Sequence, residues 1–286
     1  MNRHASTTPY AFLTPAVVIL GVFVVWTAIQ VFALSFTRVD LFAPGGLWGD
    51  AEFVGLENFR RVLSSERFWW CLGNSFLYLL VTPVLMAVSL GAALVVTSGL
   101  RGLGPWMRAL LFLPVVTPTI VAAIAWRVLF NENNGMLNSV LPGNVPWLSE
   151  YPWVLVTAAT VTLWKGFGYY MMIFAAALLA VPKELEEAAS IDGAGRVSVF
   201  WNVTLPSIKP VVVLVALISS ISALKVFDEL YVTVRGAPVA SKTAVPLIYE
   251  TAFEDGSFGA ACAVGVSLFL VILIFSFVQL RLTRET

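Results

Sequence analysis

Val181-Pro-Lys-Glu-Leu-Glu-Glu-Ala-Ala-Ser-Ile-Asp-Gly-Ala-Gly195, running on through Phe200-Trp-Asn-Val-Thr-Leu-Pro206, is the longest polar, helix-capable interval between two strongly apolar segments. Lys183 to Ile191 has a good helix composition and follows Pro182, a residue suited to a first turn. Glu184, Glu186 and Glu187 crowd that turn, where the helix dipole favours acids. Gly193 and Gly195 offer a stop, and Val197 to Val203 can resume as a second short helix. The segment therefore reads as a helix-turn-helix between two membrane spans. A mere connection needs no such structure, whereas a docking surface does.

Composition places the rest of the chain in lipid. Of its 286 residues 59% are hydrophobic and 12% charged, and the mean hydropathy is +0.87. A soluble domain has roughly 45–50% apolar and about 25% charged residues. The formal net charge of zero argues against a nucleic-acid partner. Cys71 and Cys262 form no CxxC pair, and the one histidine, His4, is near the terminus. Neither a zinc site nor a disulfide framework is expected.

Working outward from the opening stretch, six spans emerge in an all-α membrane protein: about 11–36, 75–97, 109–130, 153–181, 211–226 and 260–280. The first is uncharged and would extend about 39 Å at roughly 1.5 Å per residue, enough to cross a core of about 30 Å with tilt. It is too long for a cleaved signal peptide, and no small-x-small site follows. Residues 37–72 read as a polar loop with Gly45-Gly46, an amphipathic part from Leu56 to Trp70, and an interfacial Trp69-Trp70 pair. Pro83 interrupts span two. Pro114 and Pro118 lie inside span three and free backbone carbonyls, so that break should face protein or a water-filled cavity. Residues 131–152 and the stretch up to Gly259 read as loops.

With six spans, both termini share a side with the 98–108 loop and the 182–209 segment. That side carries eight basic residues: Arg3, Arg101, Arg108, Lys183, Arg196, Lys209, Arg281 and Arg284. The other carries six: Arg38, Arg60, Arg61, Arg67, Arg235 and Lys242. The positive-inside rule makes the first side cytoplasmic.

No motif for chemistry appears. No lysine follows a glycine, so no P-loop exists, and no histidine lies inside the fold to activate a nucleophile. Charges within or beside spans are Arg127, Lys165, Lys225, Asp228 and Glu229, each a candidate for a pathway by its cost in lipid. Arg127 sits near a span end and can snorkel, whereas Lys165 is deep in span four and suits a cavity or subunit contact. Lys225 and Asp228, three apart, either pair with each other or line a pathway. Trp164, Phe167, Tyr169 and Tyr170 among Gly166 and Gly168 are what a sugar ring needs, or simply what a helix bundle packs. An ion-coupled secondary transporter is the alternative class, but Asp228 is the one plausible coupling carboxylate and no clear internal repeat is found.

Glu187-Ala-Ala-Ser-Ile-Asp-Gly193, nine residues, then Val203-Thr-Leu-Pro206 resembles the EAA signature of permease subunits in binding-protein-dependent ABC importers. Val203 stands where that family usually has isoleucine. Phe53-Val-Gly-Leu-Glu-Asn-Phe59, Phe112-Leu-Pro-Val-Val-Thr-Pro118, Trp126-Arg-Val-Leu-Phe130 and Ile191-Asp-Gly-Ala-Gly195 resemble the carbohydrate-uptake branch, its maltose/glycerol-3-phosphate-type first permease. After Phe227-Asp-Glu-Leu-Tyr-Val-Thr, Arg235-Gly-Ala-Pro238 departs from the family's usual threonine and Gly-Gly-Pro.

The resemblance implies a type I ABC importer permease that hydrolyses nothing itself. Residues 182–206 would form a cytoplasmic coupling helix seated on an ATPase subunit. Glu187 would be the acidic contact, Ala188 and Ala189 would allow close approach, Gly193 would make the bend, and Asp192 would belong to the same docking set. Partners would be a second homologous permease, a dimer of cytoplasmic ATPases holding ATP and Mg, and an external or periplasmic solute-binding protein. The chain would sit in the plasma membrane of a prokaryote with both termini cytoplasmic. Its cargo would be a sugar, most simply a disaccharide or oligosaccharide, with glycerol-3-phosphate-like solutes as the alternative. By the same resemblance, positions at the solute are Val115 and Thr119, Thr162, Gly166 and Tyr169, bordered by Lys225 and Asp228.

Overall fold

The computed structural model of the chain describes residues 8–39, 51–98, 104–141, 143–233 and 242–284. Arg3, His4, Gly45-Gly46, Arg101, Pro142 and Arg235-Gly-Ala-Pro238 lie outside the described residues. Two compact units form, one from Met1–Phe68 with Leu247–Leu270 and one from Trp69–Pro246 with Val271–Thr286.

The first unit begins with α1, Phe12–Leu34, which widens to π-helical turns over Gly21–Trp26. Its side chains are uncharged, mostly apolar and exposed along most of its length, as a span in lipid requires. Two short antiparallel strands follow, β1 (Thr37–Arg38) and β2 (Glu52–Phe53), with Thr37 opposite Phe53. The Asn58 amide, on α2 (Glu57–Leu63), donates to the carbonyls of Ser35 and Thr37 at 3.0 and 2.8 Å. Those carbonyls lie where α1 ends, so the side chain supplies the donors that the stopped helix lacks. Gly259 passes so close that a Cβ there would stand 2.0 Å from the Thr37 carbonyl oxygen. Arg67 pairs with the buried Glu250 and, at 3.7 Å, with Asp255.

The second unit holds most of the remaining helices. These are the later turns of α3 (Glu66–Tyr78), then α4 (Val81–Thr97), α5 (Gly104–Val116), α6 (Thr119–Leu129) and α7 (Trp153–Leu179). They continue as α8 (Lys183–Ile191), α9 (Arg196–Ser207), α10 (Lys209–Leu224) and α11 (Asp228–Thr233). Helix α12 (Ala244–Phe253) belongs mostly to the first unit, and α13 (Phe258–Arg284) belongs to the first unit up to Leu270 and to the second from Val271. Helix α7 is the hub: Leu85, Tyr170, Met171, Phe174 and Val215 bury one cluster, and Tyr78, Val154, Ala158 and Leu230 another. Ser89 on α4 donates to the Phe167 carbonyl on α7 at 3.0 Å. At Gly168 a Cβ would meet the Leu111 carbonyl oxygen at 2.4 Å, so only glycine permits α7 this approach to α5.

Among the described residues four helices are long and apolar enough to cross a membrane: Phe12–Leu34, Glu66–Thr97, Trp153–Leu179 and Phe258–Thr283. Two bent pairs, α5 with α6 and α9 with α10, bring the number to six if each pair crosses once. Span two, expected from 75, starts at Glu66 instead; the amphipathic stretch from Leu56 to Trp70 divides between α2 and α3. Its break falls at Leu79–Leu80 and not at Pro83, since Pro83 sits in the first turn of α4, where its missing N–H costs no bond. Span three is not one interrupted helix but two, meeting at 92°. Pro118 adopts φ −56° and ψ 133°, an extended conformation that turns the chain out of α5 before α6 begins. The fifth segment is Lys209–Leu224, against the expected 211–226, and Lys225 lies just past its end. The stretches expected as loops contain a short helix, Met136–Val140, and α11 and α12.

Candidate functional site

The opening stretch folds as the helix-turn-helix its composition implies. Pro182 is extended (φ −61°, ψ 126°) and delivers the chain into α8 with Glu184 and Glu186 in the first turn. The helix stops in a Schellman arrangement: the Ala194 N–H reaches the Ala189 carbonyl at 3.0 Å and the Gly193 N–H reaches Ser190 at 3.1 Å. Gly193 has φ +86°, which side-chain-bearing residues rarely adopt. Glu187, Ala188, Asp192 and Gly193 are exposed and Ala189 is half-buried. Around them Leu185, Ile191, Val197 and Trp201 are exposed too, Ile191 at 86%. The acids differ in their work. Glu186 accepts a hydrogen bond from the buried Thr204 hydroxyl at 2.8 Å, tying α9 to α8, whereas no partner within the described residues engages Glu187.

The second site is a cavity of ≈ 520 Å³ within the second unit. Thr119, Thr162, Gly166, Tyr169, Lys225 and Asp228, together with Val115, all line it. Local spacing explains the convergence: Thr162, Gly166 and Tyr169 are four and three residues apart on one face of α7. Val115 and Thr119 flank the break between α5 and α6. Lys225 caps α10, and Asp228 opens α11. Among the described residues no ion pair joins Lys225 to Asp228, and both line the cavity.

Lys165 also lines the cavity, and its ammonium donates to the Val115 carbonyl at 3.4 Å. That carbonyl is in the last turn of α5, where the chain turns away before α6, and a cation at a helix C-terminus also meets the dipole favourably. The freed carbonyl thus faces a cavity and a cation, which is how a broken span is tolerated at membrane depth. Glu229 is drawn into the same wall. Burial pushes its carboxyl above the ordinary value and Asp228 adds to this, while its own backbone hydrogen bond and Lys165 pull the other way.

The aromatic set divides. Tyr169 and Tyr170 line the cavity with ring centroids 5.1 Å apart, whereas Trp164 packs edge-on against Trp126 and Phe167 packs into the core. Arg127 is exposed in the last turn of α6, away from the cavity. Sequence reasoning missed Tyr78, Thr82 and Ser222, which also line the cavity. For the first two the signal was a Tyr-x-x-x-Thr spacing on one face of an otherwise apolar span. Among the described residues no cluster of three or more His, Cys, Asp or Glu is arranged to hold a metal ion. The cavity offers hydroxyls, aromatic faces and charges of both signs, which suits binding a polar solute, and it presents no nucleophile–base pair.

Apolar helices around a polar cavity, with a structured, exposed segment between two of them, define a membrane transport subunit. The chain belongs to the family of binding-protein-dependent transport system inner membrane components, whose model matches residues 98–286. It is 30% identical over 280 residues to the trehalose/maltose transport system permease protein MalF of Thermococcus litoralis, covering 96% of this chain and 93% of that one. It is 33% identical to the arabinooligosaccharides transport system permease protein AraP of Bacillus subtilis, covering 96% and 88%. Its fold matches a bacterial ABC transporter involved in the import of the acidic polysaccharide alginate, with TM-score 0.80 over 97% of this chain and 95% of that one at 19% identity.

Proposed function

We propose that this chain is the permease subunit of an ATP-driven importer that moves a carbohydrate from an external solute-binding protein into the cytoplasm by alternating access. One observation carries the reading: the positions singled out in sequence as solute contacts line a single cavity of ≈ 520 Å³ at a broken span. That volume lies within the roughly 300–1,000 Å³ typical of small-ligand sites. The names of two relatives, given for trehalose/maltose and for arabinooligosaccharides, support a disaccharide or oligosaccharide cargo. Thr119, Thr162, Gly166, Tyr169, Lys225 and Asp228 are the proposed contacts, with the Tyr169 ring stacking on a sugar face.

Energy comes from outside the chain in this reading. Glu187, Ala188, Ala189, Asp192 and Gly193 dock a cytoplasmic ATPase subunit, one of a dimer that holds ATP and Mg, so this chain itself carries no cofactor. The exposed apolar side chains beside an unengaged Glu187 support docking, because such a surface in water calls for a partner. Both termini share the cytoplasmic side with this segment, and a second, homologous permease completes the pathway. ATP binding closes the ATPases, moves the docked segments and turns the cavity outward, and hydrolysis resets it.

The test is reconstitution of the chain with its partner permease, ATPases and binding protein in liposomes. The expected result is uptake of maltose, trehalose or an arabino-oligosaccharide that needs internal ATP and survives collapse of ion gradients. Uptake by the chain alone, driven by an ion gradient, would overturn the reading.

A further inference from the structure

A smaller cavity of ≈ 210 Å³ lies wholly within the first unit, among α2, the start of α3, α12 and the start of α13. Two of those helices begin a membrane span here. Arg67 and Phe68 are in the first turn of Glu66–Thr97, and Ala260 and Val264 are in the first two turns of Phe258–Thr283. A place where spans begin lies at the level of the lipid headgroups. Trp69 and Trp70, the next residues of α3, are 54% and 53% exposed, and exposed tryptophans mark the same level.

The lining is divided as an amphiphile is. Val62, Phe68, Leu247 and Val264 form a buried apolar part. The polar part carries Arg61 and Asp255, whose side chains are 59% and 52% exposed and so within reach of an occupant. Both are weakly held. Arg61 pairs with Glu57 at 3.1 Å on an exposed helix face, and Asp255 stands 3.7 Å from Arg67, whose other partner is the buried Glu250. Exposed pairs of this kind contribute little and yield to a better partner. Ser65, Thr251 and Ser257, half-buried in the same lining, have hydroxyls with no hydrogen-bond partner among the described residues. A guanidinium with hydroxyls beside it suits phosphate oxygens, and a carboxylate in the same lining suits an ammonium.

We propose that this cavity is a lipid site that holds the headgroup of a phosphatidylethanolamine. Its phosphate meets Arg61 and the hydroxyls of Ser65 and Thr251, its primary ammonium meets Asp255, and an acyl chain starts along the apolar part. Basic pockets between membrane helices take headgroups in this way. The presence of both signs of charge selects among lipids. Phosphatidylglycerol brings no cation for Asp255, and the methylated nitrogen of phosphatidylcholine has no hydrogen to donate. The volume equals about seven waters at roughly 30 Å³ each, room for a headgroup and less than the roughly 300–1,000 Å³ of a drug-sized ligand. Nothing in the assignment depends on which solute the chain carries.

The test strips loosely held lipid from the assembled complex in detergent and re-equilibrates it with equal amounts of phosphatidylethanolamine, phosphatidylglycerol and phosphatidylcholine. Native mass spectrometry then counts the lipid retained, and co-purification of the partner subunits checks that each variant is folded. The wild type should retain phosphatidylethanolamine about tenfold over either competitor, the lower end for a hydrogen bond to a charged group. Arg61→Gln should lower retention of that lipid about tenfold, and Thr251→Val, which keeps the shape, should lower it several-fold. Asp255→Asn should abolish the preference over phosphatidylcholine. Equal retention of the three lipids by the wild type, or a preference untouched by both Arg61→Gln and Asp255→Asn, would overturn the assignment. Glycerophosphoethanolamine, which has no acyl chains, should compete poorly; displacement of the lipid at equal concentration would make this a site for a soluble phosphate ester and overturn the lipid one. Variants that keep the lipid but lose the solute-binding protein would give the cavity to a protein side chain instead.

Discussion

Gly193 and Tyr169 show how single residues carry the two halves of the proposed function. Gly193 holds φ +86° at the end of α8, and a side chain there would cost roughly 1–2 kcal/mol against the left-handed conformation. Gly193→Val should therefore reshape the docking surface and, with Glu187→Lys, leave ATP hydrolysis running while uptake falls; normal coupled transport in both variants would remove the segment from the docking role. Tyr169 is 45% exposed and lines the cavity without burying itself in the core, so Tyr169→Ala should abolish uptake with the complex still assembled, as judged by co-purification. Unchanged uptake would exclude the ring from the pathway. Thr162, Gly166 and Tyr169 were singled out by the family resemblance, and their spacing places them on one helical face wherever the helix stands. Tyr78 and Thr82 offered only a four-residue spacing, and whether both reach one wall depends on where α3 ends and α4 begins.

At the scale of elements, the break between α5 and α6 organises the cavity. Two prolines four residues apart announced it, but not its angle. A proline kink can be shallow, and the 92° turn depends on the extended conformation of Pro118 and on Lys165 reaching Val115 from α7. Lys165→Met should leave the Val115 carbonyl unpaired and lower both uptake and the thermal midpoint of the complex, whereas Lys165→Arg should retain most of the latter. Equal midpoints for the wild type and Lys165→Met would show that the contact does not hold the bend. The approach of α7 to α5 is stricter. At Gly168 even alanine meets a backbone carbonyl, so Gly168→Ala should destabilise by roughly 1–3 kcal/mol, the usual cost of overpacking, measured as a lower midpoint in detergent. The short helices α11 and α12 escaped the sequence reading for a physical reason: six and ten residues give too little periodicity to separate a helix from a loop.

At the scale of the whole transport cycle, the question is how a push on α8 reaches a solute. Within the second unit the covalent path is short. The turn at Gly193 leads into α9, which bends by 70° at Ile208 into α10, and α10 ends at Lys225 on the cavity wall. Sixteen residues of α10 span about 24 Å at roughly 1.5 Å per residue, most of a hydrocarbon core. Ile208, the hinge residue, is 2% exposed, so packed neighbours hold the bend and it is unlike a free joint. If α8 docks an ATPase as proposed, its movement would pass to α9 through the turn and through the Glu186–Thr204 hydrogen bond, the one side-chain hydrogen bond between them among the described residues. Such a link carries force only if the two helices move as one body, which is a coupling free energy and can be measured as one. Thr204→Val and Glu186→Ala should each lower the number of solute molecules moved per ATP hydrolysed several-fold while leaving basal ATP hydrolysis in place. The double variant should be no worse than the worse single one, because both remove the same bond. Additive losses, or a stoichiometry unchanged by either substitution, would mean that the turn alone transmits the motion and that the hydrogen bond serves only to fold the segment.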